Sequence, residues 1–435
     1  MTVIHPSDVK PASPATMSPP LPLASAAACG FCAERLDRMD TAMRAQIDAG
    51  HYAGISVMVA RHGRLVKAGR YGYQSLETRT PLRDDAIFRI ASMTKPIIAV
   101  AMMSLYEEGL WQLDDPVTRF IPEFAALKVM QRDGTLVPVD RPMTMRHIMS
   151  SSAGFAFGPV MGSSNPHVDE LYAAANLWSG TNDQMIAKLA ELPLEAQPGT
   201  LFRYGLQQEV QGAILRRLSG EGLDSFLERR IFAPLGMTDT GFGVPQDQRD
   251  RIAPRYTVGA DLKLVLAADQ SPFPAVAGTP AGVTPKMLLS IAGLYSTAQD
   301  YLRFAQMLAN GGELGGVRVL SPSSARLMTG NLLADGVPVH FDAPFNGVGY
   351  GMNLGVVLDP AHADFNGGPV GVGTFWWGGV HGTWFWVDPG NDIVVVGMVQ
   401  QENAGNPPTG RPYPMPDIRG ISRSITYGAL VEPAL

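Results

Sequence analysis

The stretch FRIASMTKPI, Phe88 to Ile97, decides how this chain is read. It sets Ser92 three residues before Lys95, then Pro96, then an apolar run from Ile97 to Met103. Residues three apart on a helix share a face, with Cβ atoms about 5–6 Å apart. The hydroxyl and the amine can therefore meet if a helix begins near Ser92. A serine hydroxyl is a weak nucleophile and needs a base beside it. Lysine is such a base only after losing a proton, which burial and the positive end of a helix dipole both favour. The same helix start offers the Ser92 N–H to a developing oxyanion. The plainer alternative is an ordinary helix cap with a surface lysine. Pro96 and the apolar run after Lys95 speak against an exposed helix face.

Outward from this stretch, Asp84 and Asp85 precede the expected helix and Gly109 ends it. Upstream, AERLDRMDTAMRAQIDAG (Ala33–Gly50) spaces Leu36, Met39, Met43 and Ile47 for an amphipathic helix. GISVMVARHGRLVKAGRYGY comes next with an apolar period near two, which predicts a hairpin turning at His62-Gly63. Between about Leu110 and Asp250 the pattern is mainly helical with long loops. GLYSTAQDYLRFAQMLANGG (Gly293–Gly312) predicts a helix capped by Thr297 and stopped by Gly311-Gly312. TFWWGGVHGTWFWVDPGNDIVVVGMVQ (Thr374–Gln400) reads as two extended runs joined at DPGND, and PDIRGISRSITYGALVE closes with a helix.

This order predicts an α/β (α+β) fold: an antiparallel sheet built from both chain ends, flanked by helices, with an inserted helical subdomain. The expected divisions are a flexible N-terminal extension over residues 1–32, a sheet domain over 33–110 and 251–435, and a mainly helical subdomain over 111–250.

The chain has 435 residues, 46% hydrophobic and 17% charged, with a formal net charge of −6. No basic run invites nucleic acid. No window of 18 apolar residues predicts a membrane span. The apolar piece LPLASAAAC holds Pro22 and has only Lys10 ahead of it, a poor secretory signal, so the expected location is cytoplasmic. The two cysteines, Cys29 and Cys32, form CGFC. A C-x-x-C pair can be a redox couple or half a zinc site, but no second pair and no βαβ pattern accompany it. It is read as structural, and no metal or organic cofactor is expected.

Two further segments carry chemistry. In QPGTLFRYGLQQEVQG, Tyr204 comes after a Pro-Gly turn and precedes a helix. Its phenol can relay a proton between the serine oxygen and a leaving group, with a nearby lysine holding its pKa down; otherwise it is a core tyrosine. In WWGGVHGTW, paired glycines in a strand mark a bulge or the close approach of another backbone or a ligand. That edge can supply a second oxyanion N–H, or it is simply a tryptophan-rich core strand.

The order S-x-x-K, then a tyrosine about 110 residues on, then a late glycine pair resembles the serine β-lactamase and penicillin-binding-protein superfamily. LDDPVTRFIPEF, MTMRHIMSSSAGF, PGTLFRYGLQQEVQGAILRRLSG, FAPLGMTDTGF and IAGLYSTAQDY resemble its class C branch in order and spacing, over about residues 33–430. The resemblance implies Ser92 as nucleophile, Lys95 as base and Tyr204 as proton relay. Two positions depart from the β-lactamase pattern. Leu206 stands where class C enzymes have asparagine, and Trp377-Gly378-Gly379 stands where they have Lys-Thr-Gly; a rival alignment uses His381-Gly382-Thr383. The missing amide and ammonium would hold a lactam's side-chain amide and carboxylate. What remains resembles the family VIII carboxylesterases and implies a small, uncharged ester as substrate. The implied oxyanion donors are the N–H groups of Ser92 and Val380, with Trp377, His381 and Trp384 shaping an apolar pocket. β-Lactamase, D-amino-acid peptidase, acyltransferase or a penicillin-binding module without turnover are the alternatives. No G-x-S-x-G elbow of an α/β-hydrolase is present.

Overall fold

The computed structural model describes residues 20–158, 163, 165–259, 261, 263–268, 279–341, 343–364, 368–402 and 417–432. The expected first helix is α1 (Ala33–Asp48), with Leu36, Met39 and Met43 buried. The hairpin comes next as β1 (Gly54–Arg61) and β2 (Arg64–Ser75). Its turn residues His62 and Gly63 both have positive φ, 53° and 66°, as a two-residue turn matched to the strand twist requires. A short β3 (Thr80–Pro81) completes this end of the sheet. The central helix α2 spans Thr94–Glu107 and α3 spans Gln207–Ser219. Helix α4 (Ala298–Ala309) has the predicted cap, with Thr297 Oγ1 accepting the Asp300 N–H at 3.1 Å. The remaining strands of the main sheet are β4 (Val348–Tyr350), β5 (Gly355–Val357), β6 (Phe375–Gly378), β7 (Trp384–Asp388) and β8 (Ile393–Met398), with α5 (Ile418–Gly428) after them.

Eight strands form one sheet in the order β4-β5-β6-β7-β8-β1-β2-β3. The seam between the two chain ends is β1 against β8, antiparallel, with Ser56 opposite Met398 and Val59 opposite Val395. Every residue of β8 is buried, as expected of a central strand covered on both faces. Helices α1 and α5 pack together on one face; there Arg423 of α5 lies over the Trp386 ring. Helix α4 covers the other face, where Tyr301 meets Phe385 with ring centroids 5.2 Å apart. Residues 111–250 include several helices and one small hairpin, Lys128–Met130 with Leu136–Pro138.

Two sequence expectations need correction. Thr374–Gln400 forms three strands rather than two. The segment 379–383 turns tightly, with the Gly379 N–H donating to the Thr383 carbonyl at 2.8 Å and the Gly382 N–H to the Gly379 carbonyl at 2.9 Å. The glycine pair therefore starts a hairpin turn instead of bulging one long strand. The expected flexible extension also does not hold for residues 20–32. Residues 1–19 lie outside the described part, but residues 20–32 are packed. The Leu65 N–H donates to the Pro22 carbonyl and the Ala24 N–H to the Leu65 carbonyl, at 2.9 and 3.0 Å. Leu21, Cys29 and Phe31 are buried. Arg61, 1% exposed, donates from Nη1 to the Cys29 carbonyl at 2.9 Å and from Nε to the Asn391 carbonyl at 3.0 Å. This buried guanidinium ties residues 20–32 to the β7–β8 turn. Cys29 and Cys32 are both free thiols. No helix among the described residues is long and apolar enough to cross a membrane.

Candidate active site

Ser92 sits on a single 3₁₀ turn, Ala91–Met93, which runs directly into α2. The helix thus begins just after the serine rather than at it. The turn is anchored from behind: Phe88–Arg89 pairs with Tyr295–Ser296, and the Ile90 N–H donates to the Leu294 carbonyl at 3.1 Å. Ala91 has φ of +46°, a left-handed conformation that costs a residue with a Cβ and persists only where its surroundings enforce it. From Ile90 to Leu105 every residue except Ser92 is buried. The strained turn thus presents a single hydroxyl to solvent.

Lys95 is completely buried, and its Nζ donates to the Ile291 carbonyl at 2.7 Å. Burial pushes its ammonium well below the usual lysine range, while the Glu209 carboxylate draws it partly back. Nζ also lies 4.5 Å from the Tyr204 ring centroid. The Tyr204 hydroxyl donates to Ser92 Oγ at 2.6 Å. One expectation about this phenol is corrected: its pKa is pushed up, because burial outweighs the hydrogen-bonding interactions with Ser92 and Trp377. Tyr204 is a neutral proton donor to Ser92 at neutral pH, not a phenolate held by lysine.

Tyr204 reaches Ser92 because of the residues just after it. At Gly205 an added Cβ would run into the Phe155 carbonyl oxygen, so only glycine lets the chain pass there. Leu206 is fully buried at the cap of α3; its side chain is a core group here. Helix α3 then packs along α2. Glu209, on its first turn, is 3% exposed and accepts the Ile291 N–H at 2.9 Å. Burial raises its carboxyl to about 7, against the opposing pull of the Ile291 and Ser290 N–H groups, Lys95 and Arg216. Below it, Asn353 Nδ2 donates to the Lys95 carbonyl at 3.0 Å and to Gln211 Oε1 at 2.6 Å, while its Oδ1 accepts from Gln208 and Gln211. This closed amide network clamps the main chain at Lys95.

The late strand arrives beside the nucleophile. At Gly379 an added Cβ would stand 2.5 Å from the Ile90 carbonyl oxygen, so the glycine allows β6 to end against the residue two before Ser92. Thr383 Oγ1 donates to that same carbonyl at 3.2 Å. Val380, at the tip of the turn, is 49% exposed. Trp377 faces the site: its ring is 5.9 Å from that of Tyr204 and 5.3 Å from that of Tyr350. Trp384 does not join it, contrary to expectation. Trp377 opposes Phe385 and Gly378 opposes Trp384, and side chains alternate between faces along a strand, so Trp384 lies on the α1–α5 side. His381 is wholly buried, and its carbonyl accepts the Gln401 N–H at 2.9 Å. Sequence reasoning missed Phe157, stacked on Tyr204 at 6.0 Å and 7°, and Phe341, 5.5 Å from the same ring. It also missed Glu209 and Asn353. Glu209 alone left a trace, an acid on the otherwise buried first turn after the tyrosine. No group of three or more His, Cys, Asp or Glu able to hold a metal occurs among the described residues.

The family model described as beta-lactamase matches residues 39–414. The chain belongs to the beta-lactamase family. Among curated relatives, Protein Rv1367c of Mycobacterium tuberculosis is 38% identical over 374 residues, covering 84% of this chain and 90% of its own. Esterase EstB of Burkholderia gladioli is 30% identical over 369 residues, covering 81% and 86%. Among solved structures, EstCE1, described as a hydrolase with promiscuous acyltransferase activity, superimposes with a TM-score of 0.75 at 28% identity, covering 91% of this chain and 99% of its own. This branch of the beta-lactamase family thus includes esterase relatives, and the large antiparallel sheet flanked by helices is its fold.

Proposed function

We propose that the protein is a serine carboxylesterase that cleaves small uncharged esters through an acyl-enzyme on Ser92. The observation that carries this is the hydrogen bond from Tyr204 to Ser92 Oγ at 2.6 Å, beside a fully buried lysine whose charged form burial disfavours. Because Tyr204 donates to Oγ, the serine's own proton is free to leave towards Lys95. In the first half-reaction Oγ bonds to the ester carbonyl carbon and Lys95 takes the serine proton. The oxyanion is held by the N–H groups of Ser92 and Val380. As the C–O bond of the leaving group breaks, Tyr204 gives its proton to the alkoxide and is reprotonated by the Lys95 ammonium. Water then attacks the acyl-enzyme, losing a proton to the same pair, and Ser92 is released.

The substrate class is set by the surroundings of the serine. Trp377, Phe157 and Phe341 ring Tyr204 with aromatic surface, and Leu206 and Trp377 leave no amide or ammonium where a lactam would need them. An acyl-enzyme walled by aromatic rings also suits transfer to an alcohol, the activity that the description of EstCE1 mentions. A panel of p-nitrophenyl esters beside a chromogenic cephalosporin, with and without added short alcohols, tests both readings. Cephalosporin turnover at or above the ester rate would overturn the esterase reading. A methyl or butyl ester product would establish transfer.

A further inference from the structure

The base, Lys95, is buried near a carboxylic acid that is itself buried, Glu209. The two are joined through a single residue. Lys95 Nζ donates to the Ile291 carbonyl at 2.7 Å, and the Ile291 N–H donates to Glu209 at 2.9 Å. Ile291 is itself fully buried, as is Ser290 beside it. A buried carboxylate with no charged hydrogen-bond partner is costly to keep in a fold. Here it is kept one residue from a buried amine that must carry a proton during the reaction.

We propose that Glu209 is a positioning residue for the base: it fixes the Ile291 main chain that orients Lys95, and its charge compensates the ammonium formed when the Ser92 proton arrives. This rests on the reading of Lys95 as the general base. The step balances without other reactants: the proton moves from Ser92 Oγ to Lys95 Nζ, and Glu209 neither gains nor loses one. The charged and titratable groups that face the pair are few. Lys95 meets Glu209 from α3 and Tyr204 from the segment before it, and Glu209 also feels Arg216 on its own helix. The loop Leu289–Ile291 that separates them carries no ionisable side chain. An ammonium in an otherwise apolar site gains most from a nearby opposite charge that is already in place.

The sign of the effect comes from burial. The Glu209 carboxyl is raised to about 7, so the compensating charge is present above neutrality and lost below it. Replacing Glu209 by Gln keeps the shape and removes the charge. The test is steady-state hydrolysis of p-nitrophenyl butyrate by wild type, Glu209→Gln, Glu209→Asp and Lys95→Arg across the pH range, with circular dichroism as the fold check. At about pH 8 the Gln variant should lose roughly ten- to a hundredfold in kcat with KM unchanged, and the deficit should shrink towards about pH 6. The Asp variant keeps a carboxylate and should recover much of the loss with the same pH pattern. A deficit of constant size at every pH would mean packing alone and would overturn the charge role, as would a Gln variant with wild-type kcat throughout. Should the Gln variant not fold, the Asp variant decides by the same criterion, since a carboxylate withdrawn by one methylene must still show a loss confined to the alkaline side. If Lys95→Arg is inactive while both Glu209 variants match wild type, only this inference falls. If Lys95→Arg keeps full turnover, the reading of the base falls first.

Discussion

Two of the buried cations, Arg61 and Lys95, have surroundings that differ in kind. Arg61 closes the region where residues 20–32 meet the β7–β8 turn. It has main-chain carbonyls from both sides, Cys29 and Asn391, and the Phe31 ring 5.6 Å from its charge. Lys95 has one carbonyl, Ile291, and no direct carboxylate partner among the described residues. A guanidinium does not lose its proton in proteins, whereas a buried ammonium readily does. The fold uses the permanent charge as a clamp and leaves the losable one under-coordinated beside a serine. Burial alone therefore does not distinguish a structural charge from a reactive one; the partners do.

The sharpest break in that comparison is at the nucleophile. Ser92→Ala should lower kcat on p-nitrophenyl butyrate by about four orders of magnitude or more, with an unchanged circular dichroism spectrum. A phosphonate ester should label this residue, read by peptide mass spectrometry. Retained turnover in the alanine variant would remove Ser92 from the mechanism. Next in size is Lys95→Arg, which keeps a cation and removes the base. A loss of about a thousandfold or more is expected. In the wild type, depression of the lysine by burial should bring kcat/KM to its plateau well below the ordinary lysine range; a rise that continues to about pH 10 would show an unperturbed lysine.

Specificity gives the third effect. Esters should exceed a chromogenic cephalosporin in kcat/KM by about two orders of magnitude, or ~3 kcal/mol, and the pair Leu206→Asn with Trp377→Lys should narrow the gap. Leu206 is a core residue here, so the single Trp377→Lys change is the cleaner probe. The smallest effects belong to the other cation. Arg61→Lys should cost about 1–3 kcal/mol of stability through a lost carbonyl contact, seen in a urea titration, with kcat of the folded enzyme untouched. Removing residues 1–32 should destabilise in the same way, since Leu21, Cys29 and Phe31 leave the core. Equal loss of kcat from Arg61→Lys and Lys95→Arg would dissolve the distinction between the two sites.

Much of this was legible in the chain. The helix at Ala33, the His62-Gly63 hairpin, the Thr297 cap and a sheet joining both chain ends come from periodicity and turn chemistry, which act over a few residues. So does the neighbourhood of Ser92 and Lys95. The illegible part depends on approach between distant segments. Tyr204 was visible, but its depth, and hence the upward push on its phenol, comes from Phe157, Phe341 and Trp377, which lie on three separate segments. Trp384 looked like a pocket residue until the register of β6 on β7 set it on the other face. Residues 20–32 show no regular period because isolated bridges and one buried guanidinium hold them, and such contacts leave no local pattern.

The contacts at the Ile90 carbonyl have a consequence for synthesis. This oxygen, two residues before the nucleophile, is held by Thr383 and approached by Gly379, and β1 has its central partner only in Ile393–Met398. As the chain leaves the ribosome, Ser92 emerges early, but the backbone that shapes its turn arrives some 290 residues later. A nascent or prematurely terminated polypeptide should therefore carry an inert serine, and a reactive fluorophosphonate should label only chains extended past the last strand.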